Sequence, residues 1–245
     1  MHATALLLTA ALAHSPSGLA ASENFSVYSP TQDQADAVLR RAEELRQEMA
    51  LEWFGEPLAP GAGRTLIHVR ITPAADRGRS SVIDHRRSIR SNILWIETDS
   101  IGGEAFESTL SHELMHCLLA ARFPSGFPVW AHEGCAGQYD AGLRGRLHEE
   151  TVRGFARTAR WPALVELLNR EQFDPEDRTR YGTAVSLAEF LIRSHGRRQL
   201  VAFASRGSTD GDWDRAVRET FAMRDVAELQ RRWQRWLVQT SGRSR

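Results

Sequence analysis

The sequence predicts an α+β fold: a small N-terminal mixed sheet packed on one apolar helix, followed by a mainly helical half. Three observations predict it. Phe25–Ser29 and Thr65–Ile71 alternate apolar and polar residues, the period of half-buried strands, and Ile93–Ile96 is an apolar run of strand length. Residues 33–54 carry Ala35, Val38, Leu39, Ala42, Leu45, Met49 and Trp53 on one stripe with Arg and Glu opposite, which is an amphipathic helix. From residue 104 onward the periodic stretches have helical spacing, ending with Val226, Leu229, Trp233, Trp236 and Leu237.

Composition narrows the function classes. The chain has 245 residues, 42% of them hydrophobic, which is enough for one sizeable core. No repeat or long linker divides residues 22–245, so they read as a single domain with the sheet in 22–122 and the helical half in 123–245. Basic and acidic residues balance at 31 each, and no nucleic-acid-binding module is recognisable, so no nucleic-acid partner is expected. Every basic residue is Arg. That excludes Schiff-base, Walker A and Ser-Lys chemistry.

Met1–Ala13 is apolar and Ala/Leu-rich, like the core of a signal peptide, although no Lys or Arg precedes it. Small-residue cleavage candidates stand at Ala11-Leu12-Ala13 and Gly18-Leu19-Ala20. Residues 1–21 are therefore expected to be a signal peptide and the protein secreted or periplasmic. No segment is long enough for stable membrane insertion. The two cysteines, Cys117 and Cys135, would either pair in an exported protein or fill the core as small apolar side chains.

The elements follow in order. Pro30 ends the first strand and Thr31 caps the helix over 33–54; Gly55 and residues 57–63 form a loop. His68 falls on the polar phase of Thr65–Ile71. Arg77, Arg79, Arg86, Arg87 and Arg90 read as a solvated hairpin between two strands, with an anion site as the alternative. Asp99–Gly103 turns the chain into a helix from Glu104 to Arg122. Phe123–Pro128 is a compact turn before a helix that starts at Val129. Further helices are expected at 142–158, with His148 facing solvent, after Pro162, at 181–195 with Gly196 as its stop, at 197–205, at 212–221 and at the C-terminus. The tryptophans of the last helix read as a core stripe rather than a sugar platform.

The chemistry lies in Ser111-His112-Glu113-Leu114-Met115-His116. Residues four apart on a helix share a face, about 6 Å apart along the axis, so His112 and His116 can bind one metal ion. Glu113 projects beside them, placed to take a proton from water on the metal. The helix is apolar enough to be interior, so these polar groups need partners, and a metal supplies them. Two buried, hydrogen-bonded histidines are the alternative. Sixteen residues after His116, the second helix offers His132 and Glu133. Neighbours on a helix point about 100° apart, so only one can face the metal.

His112–His116 followed by Pro128-Val129-Trp130-Ala131-His132-Glu133-Gly134-Cys135-Ala136 resembles the gluzincin metallopeptidases, in particular the peptidase-MA-like group of secreted bacterial proteins. The resemblance covers Ile93–Tyr139 and implies a zincin-like fold. It implies Zn2+ on His112, His116 and Glu133, and Glu113 as catalytic base. The metzincin variant is excluded, because Arg122 stands where its third His would be. Gly137 stands where thermolysin-type enzymes carry a further acid, so that acid must come from elsewhere; Asp140, seven residues after Glu133, is the candidate. Tyr181 matches the family's oxyanion-stabilising tyrosine, with His195 and Tyr139 as rivals. The expected activity is hydrolysis of a peptide or protein substrate, with the peptide adding to an edge strand around Ile93–Glu97. The alternative is an exported zinc-binding scaffold that cleaves nothing.

Overall fold

The computed structural model describes residues 18–61, 64–72, 77–85 and 89–241, with the side chains at Arg77, 80–85, 89–91 and Ser241 left aside. The architecture is α+β, mostly helical with a small mixed five-stranded sheet. Strands β1 (Gly18–Ala21), β2 (Phe25–Ser29), β3 (Thr65–Ile71), β4 (Arg77–His85) and β5 (Ile89–Thr98) stand in the order β1-β2-β3-β5-β4. β2, β3 and β5 are parallel, and β1 and β4 are the antiparallel edges. Helix α1 (Gln32–Phe54) links β2 to β3, and α2 (Glu104–Arg122) follows β5. The helical half comprises α3 (Val129–Ala136), a 3-10 turn (Gly137–Tyr139), α4 (Gly142–Thr158), α5 (Leu164–Leu168), α6 (Arg178–His195), α7 (Arg197–Asp210), α8 (Trp213–Phe221) and α9 (Val226–Ser241).

Local chemistry sets these elements. Thr31 accepts a hydrogen bond from the Gln34 backbone N–H and starts α1; Gly55, at φ 81°, ends it in the left-handed conformation. The inward phase of the strands (Phe25, Val27, Ile67, Val69, Leu94, Ile96) packs on α1 and α2. On the other sheet face Tyr28, His68 and Trp95 stack in register, ring centroids 5.0 and 6.2 Å apart, and the Arg79 guanidinium lies 4.7 Å from the Trp95 ring centroid. His68 is therefore part of a cross-strand ladder that fixes register.

Several expectations change. Arg77–His85 is not a solvated connection but a strand, β4, that pairs along the whole of β5. β5 lies between β3 and β4, so Ile93–Glu97 is not an edge; the edge is β4. Gly18–Ala21 is a paired strand with Ala20 buried, so a cut after Ala20 would remove part of the sheet. Residues 1–17 lie outside the described residues. Helices α6 and α7 extend beyond their expected limits, to Arg178 and Asp210. Among the described residues no helix is long and apolar enough to cross a membrane.

Trp130 of α3 is fully buried against Phe203 and Trp213, which ties the turn after α2 to α7 and α8. Trp233 of α9 is buried and donates a hydrogen bond to Ser186 of α6 at 3.0 Å, as a core stripe requires. Cys117 and Cys135 are free and buried. Burial pushes the Cys117 thiol up to about 12, with the Glu113 charge adding to the effect, which makes it an inert core group.

Candidate metal centre

Helix α2 occupies the middle of the molecule and is buried on nearly every side. Phe106, Leu110, Leu114, Cys117 and Leu118 are in the core, and His112 and Glu113 are buried with them. As an interior helix requires, α3 and the 3-10 turn after it cover the face that carries the polar trio as well.

The imidazoles of His112 and His116 turn their Nε2 atoms toward each other at 3.2 Å. Glu133 of α3 places a carboxylate oxygen 3.9 Å from His116 Nε2. One ligand atom from each of the three lies within 4.8 Å of the others, so the group can hold a metal ion. Tetrahedral bonds of about 2.0–2.1 Å put ligand atoms about 3.4 Å apart, so the observed spacing fits a bound ion. Without one, two neutral imidazole nitrogens at this distance share at most one proton. Burial, with the neighbouring His112 and His132, holds His116 well below the usual imidazole range, so its neutral, ligating form is favoured.

His132 lies outside this group. It stacks on His116 at 5.6 Å between ring centroids, with its Nδ1 3.5 Å from His116 Nδ1, and Phe127 meets its other side edge-on. Its place is behind His116, as the 100° step between helix neighbours requires.

The structure explains the missing acid at Gly137. A Cβ there would come within 2.3 Å of Val185 Cγ2 on α6, so no side chain fits. The chain instead makes its 3-10 turn and leaves Asp140 in an extended conformation just before α4. Asp140 does not share a helix face with Glu133, as expected from i+7 spacing; the turn returns it to α2. Its Oδ1 lies 2.8 Å from His112 Nδ1 and 3.2 Å from Arg144 Nη1, and its Oδ2 2.9 Å from His148 Nε2. The carboxylate is 1% exposed. Burial alone would raise its pKa, but the bonds to His112 and His148 and the Arg144 charge outweigh it and hold Asp140 well below the carboxylate range. His148, expected at the solvent face, is thereby part of the centre's support. No sequence signal marks it, because its partner lies in the extended link before α4 and not on the helix itself.

Glu113 is 5% exposed. Among the described residues no hydrogen bond or ion pair engages its carboxylate. The backbone of edge strand β4 lies directly over it at Gly78. A Cβ at Gly78 would meet Thr109 Cγ2 at 2.5 Å, Glu113 Cγ at 2.7 Å and Glu113 Oε1 at 2.9 Å. Gly78→Ala is therefore expected to displace β4 or the carboxylate while the metal ligands stay in place. Metal content should be unchanged, while relieving the clash should lower stability by about 1–3 kcal/mol. Side-by-side metal analysis and thermal unfolding check this.

Tyr181 opens the first turn of α6, with its ring edge-on to Phe173 at 5.3 Å between centroids. Burial raises its hydroxyl pKa and the Glu133 charge adds to this, which places Tyr181 in the field of the centre. Of its rivals, Tyr139 turns its hydroxyl to Trp53 of α1 and accepts its Nε1–H at 2.8 Å. His195 packs on Phe221, at the opposite end of α6.

Burial raises Glu133 to about 7, an effect only partly offset by the nearby His112. A carboxylate raised in the folded state contributes stability that is full below its unfolded value of about 4.3 and is lost as pH rises through about 7. Metal-free Glu133→Gln is thus expected to match the metal-free parent near pH 4.5. It should exceed the parent by on the order of 3 kcal/mol at pH 8. Denaturant unfolding of both proteins across this range, with chelator present, measures the difference directly. A bound metal ion should remove it in the parent by binding the ionised form.

No protein-family model, no curated protein and no solved structure matches this chain. Fold and site by themselves define an α+β protein in which two histidines of one helix and a glutamate of the next can hold a metal ion.

Proposed function

We propose that the chain is a zinc metallopeptidase with a zincin-like fold, as the resemblance of its two helix motifs to the gluzincins suggests. The observation that carries the reading is the convergence of His112, His116 and Glu133 beside a buried carboxylate, Glu113, with no other partner among the described residues.

Two neutral imidazoles and one carboxylate are the donor set of catalytic zinc. Zinc bound there would polarise a scissile carbonyl and make an adjacent water acidic. Glu113 then accepts the proton of the attacking water and passes it to the leaving amine. Tyr181 donates a hydrogen bond to the oxyanion that develops on the carbonyl. Asp140 holds His112 in the tautomer that presents Nε2. Peptide adds to the free edge of β4, which passes over Glu113, rather than to the covered β5. Export from the cytoplasm is part of the proposal, on the leader-like composition of residues 1–13.

The test is a casein or peptide-library digest by the zinc-loaded protein, beside Glu113→Gln. Cleavage by the parent and not by the variant supports the reading. Stoichiometric zinc with no cleavage of any substrate would favour the idle scaffold.

A further inference from the structure

Asp140 is placed by its partners rather than by a helix. It lies in the extended link between the 3-10 turn and α4, at φ −69° and ψ 123°. Nothing in such a backbone fixes the rotation of the carboxylate about its last bond. One oxygen, Oδ1, lies 2.8 Å from His112 Nδ1 and 3.2 Å from Arg144 Nη1. The other, Oδ2, has one partner among the described residues, His148 Nε2, at 2.9 Å. The Arg144 side chain is 39% exposed and its hold is shared with water; His148 is 17% exposed. His148 also stands in the wall of a groove of about 590 Å³ between α4, α6 and α9, on the side of Asp140 away from the metal ligands.

We propose that His148 is a positioning residue of the metal centre: by holding Oδ2 of Asp140 it keeps Oδ1 aimed at His112, and so sets the affinity and geometry with which the centre holds zinc. The inference rests on the zinc reading above. If His148 is removed, a nearly inaccessible carboxylate oxygen loses the one partner it has among the described residues, and the group is free to turn. His112 then loses a fixed acceptor for its outer nitrogen, an interaction whose loss usually weakens metal binding 10- to 100-fold.

Length and hydrogen-bonding capacity separate this role from packing. The amide nitrogen of Gln reaches about as far as imidazole Nε2, whereas that of Asn falls short. Zinc affinity is measured by chelator competition, and coordination is read from the visible spectrum of the cobalt-substituted protein, for the parent, His148→Gln, His148→Asn and His148→Ala. The expected result is affinity within about twofold of the parent for Gln and about tenfold weaker for Asn and Ala. The cobalt spectrum should be altered only in the latter two. Equal affinities and spectra in all four proteins, even with lowered thermal stability, would overturn the proposal. So would loss in Gln equal to that in Asn and Ala. A parent that binds no zinc would overturn the zinc reading itself, a separate outcome seen before any variant is compared.

Discussion

Glu113→Gln is expected to keep fold and zinc while losing about 10²- to 10⁴-fold in kcat/KM, the usual contribution of a positioned general base. The carboxylate is buried beside the ligands, and no described residue depends on it for a hydrogen bond or ion pair. Gln fills the same space and leaves the contacts with Thr109 and β4 intact, so stability should change by less than about 1 kcal/mol. What it removes is the ability to accept a proton. KM should move little, because the side chain acts on the attacking water and not on the bound peptide. Steady-state kinetics on one cleaved peptide, with zinc measured on the same sample, gives both numbers. Full activity would remove Glu113 from the chemistry.

The double change His112→Ala, His116→Ala is expected to reduce bound zinc from about one per chain to none. Glu133 alone cannot hold the ion, and no other group of three described His, Cys, Asp or Glu residues can take over. The structural consequence is larger than for Glu113. Removing His112 leaves Asp140, 1% exposed, with one oxygen held only by Arg144. A buried charge that loses a partner costs several kcal/mol. The double variant should therefore be less stable than the parent even with both metal-free, and elemental analysis should accompany thermal unfolding. Single variants separate the effects: His116→Ala should lose zinc with the smaller stability cost, since its outer nitrogen meets only the neutral His132.

Much of this arrangement is legible in the chain itself. Helix α2 runs from Glu104 to Arg122, as its apolar spacing predicts, and Thr31 and Gly55 bound α1 through local hydrogen bonding and a left-handed turn. These are short-range effects, and short-range sequence carries them. Strands β1 and β4 escaped because edge strands are defined by what they pair with. Gly18–Ala21 has the small residues of a cleavage site, and the arginines of Arg77–Arg90 hide a strand whose partner begins only four residues after its end. The metal ligands are legible because two share a helix face and the third opens the next helix after a short turn. Asp140 is legible as a candidate but by the wrong route, since a 3-10 turn between it and Glu133 reorients it. His148 is illegible. It meets Asp140 across the start of α4, and an Arg-rich helix with one histidine reads as a solvated face.

The proposed holding of a catalytic zinc by His112, His116 and Glu133 can be read from X-ray absorption at the zinc edge on the loaded protein. A low-Z shell of two imidazoles, one carboxylate oxygen and one exchangeable oxygen is expected, with the carboxylate contribution lost in Glu133→Ala. A shell containing sulfur, a third imidazole in place of the carboxylate, or no ordered zinc at all would contradict it.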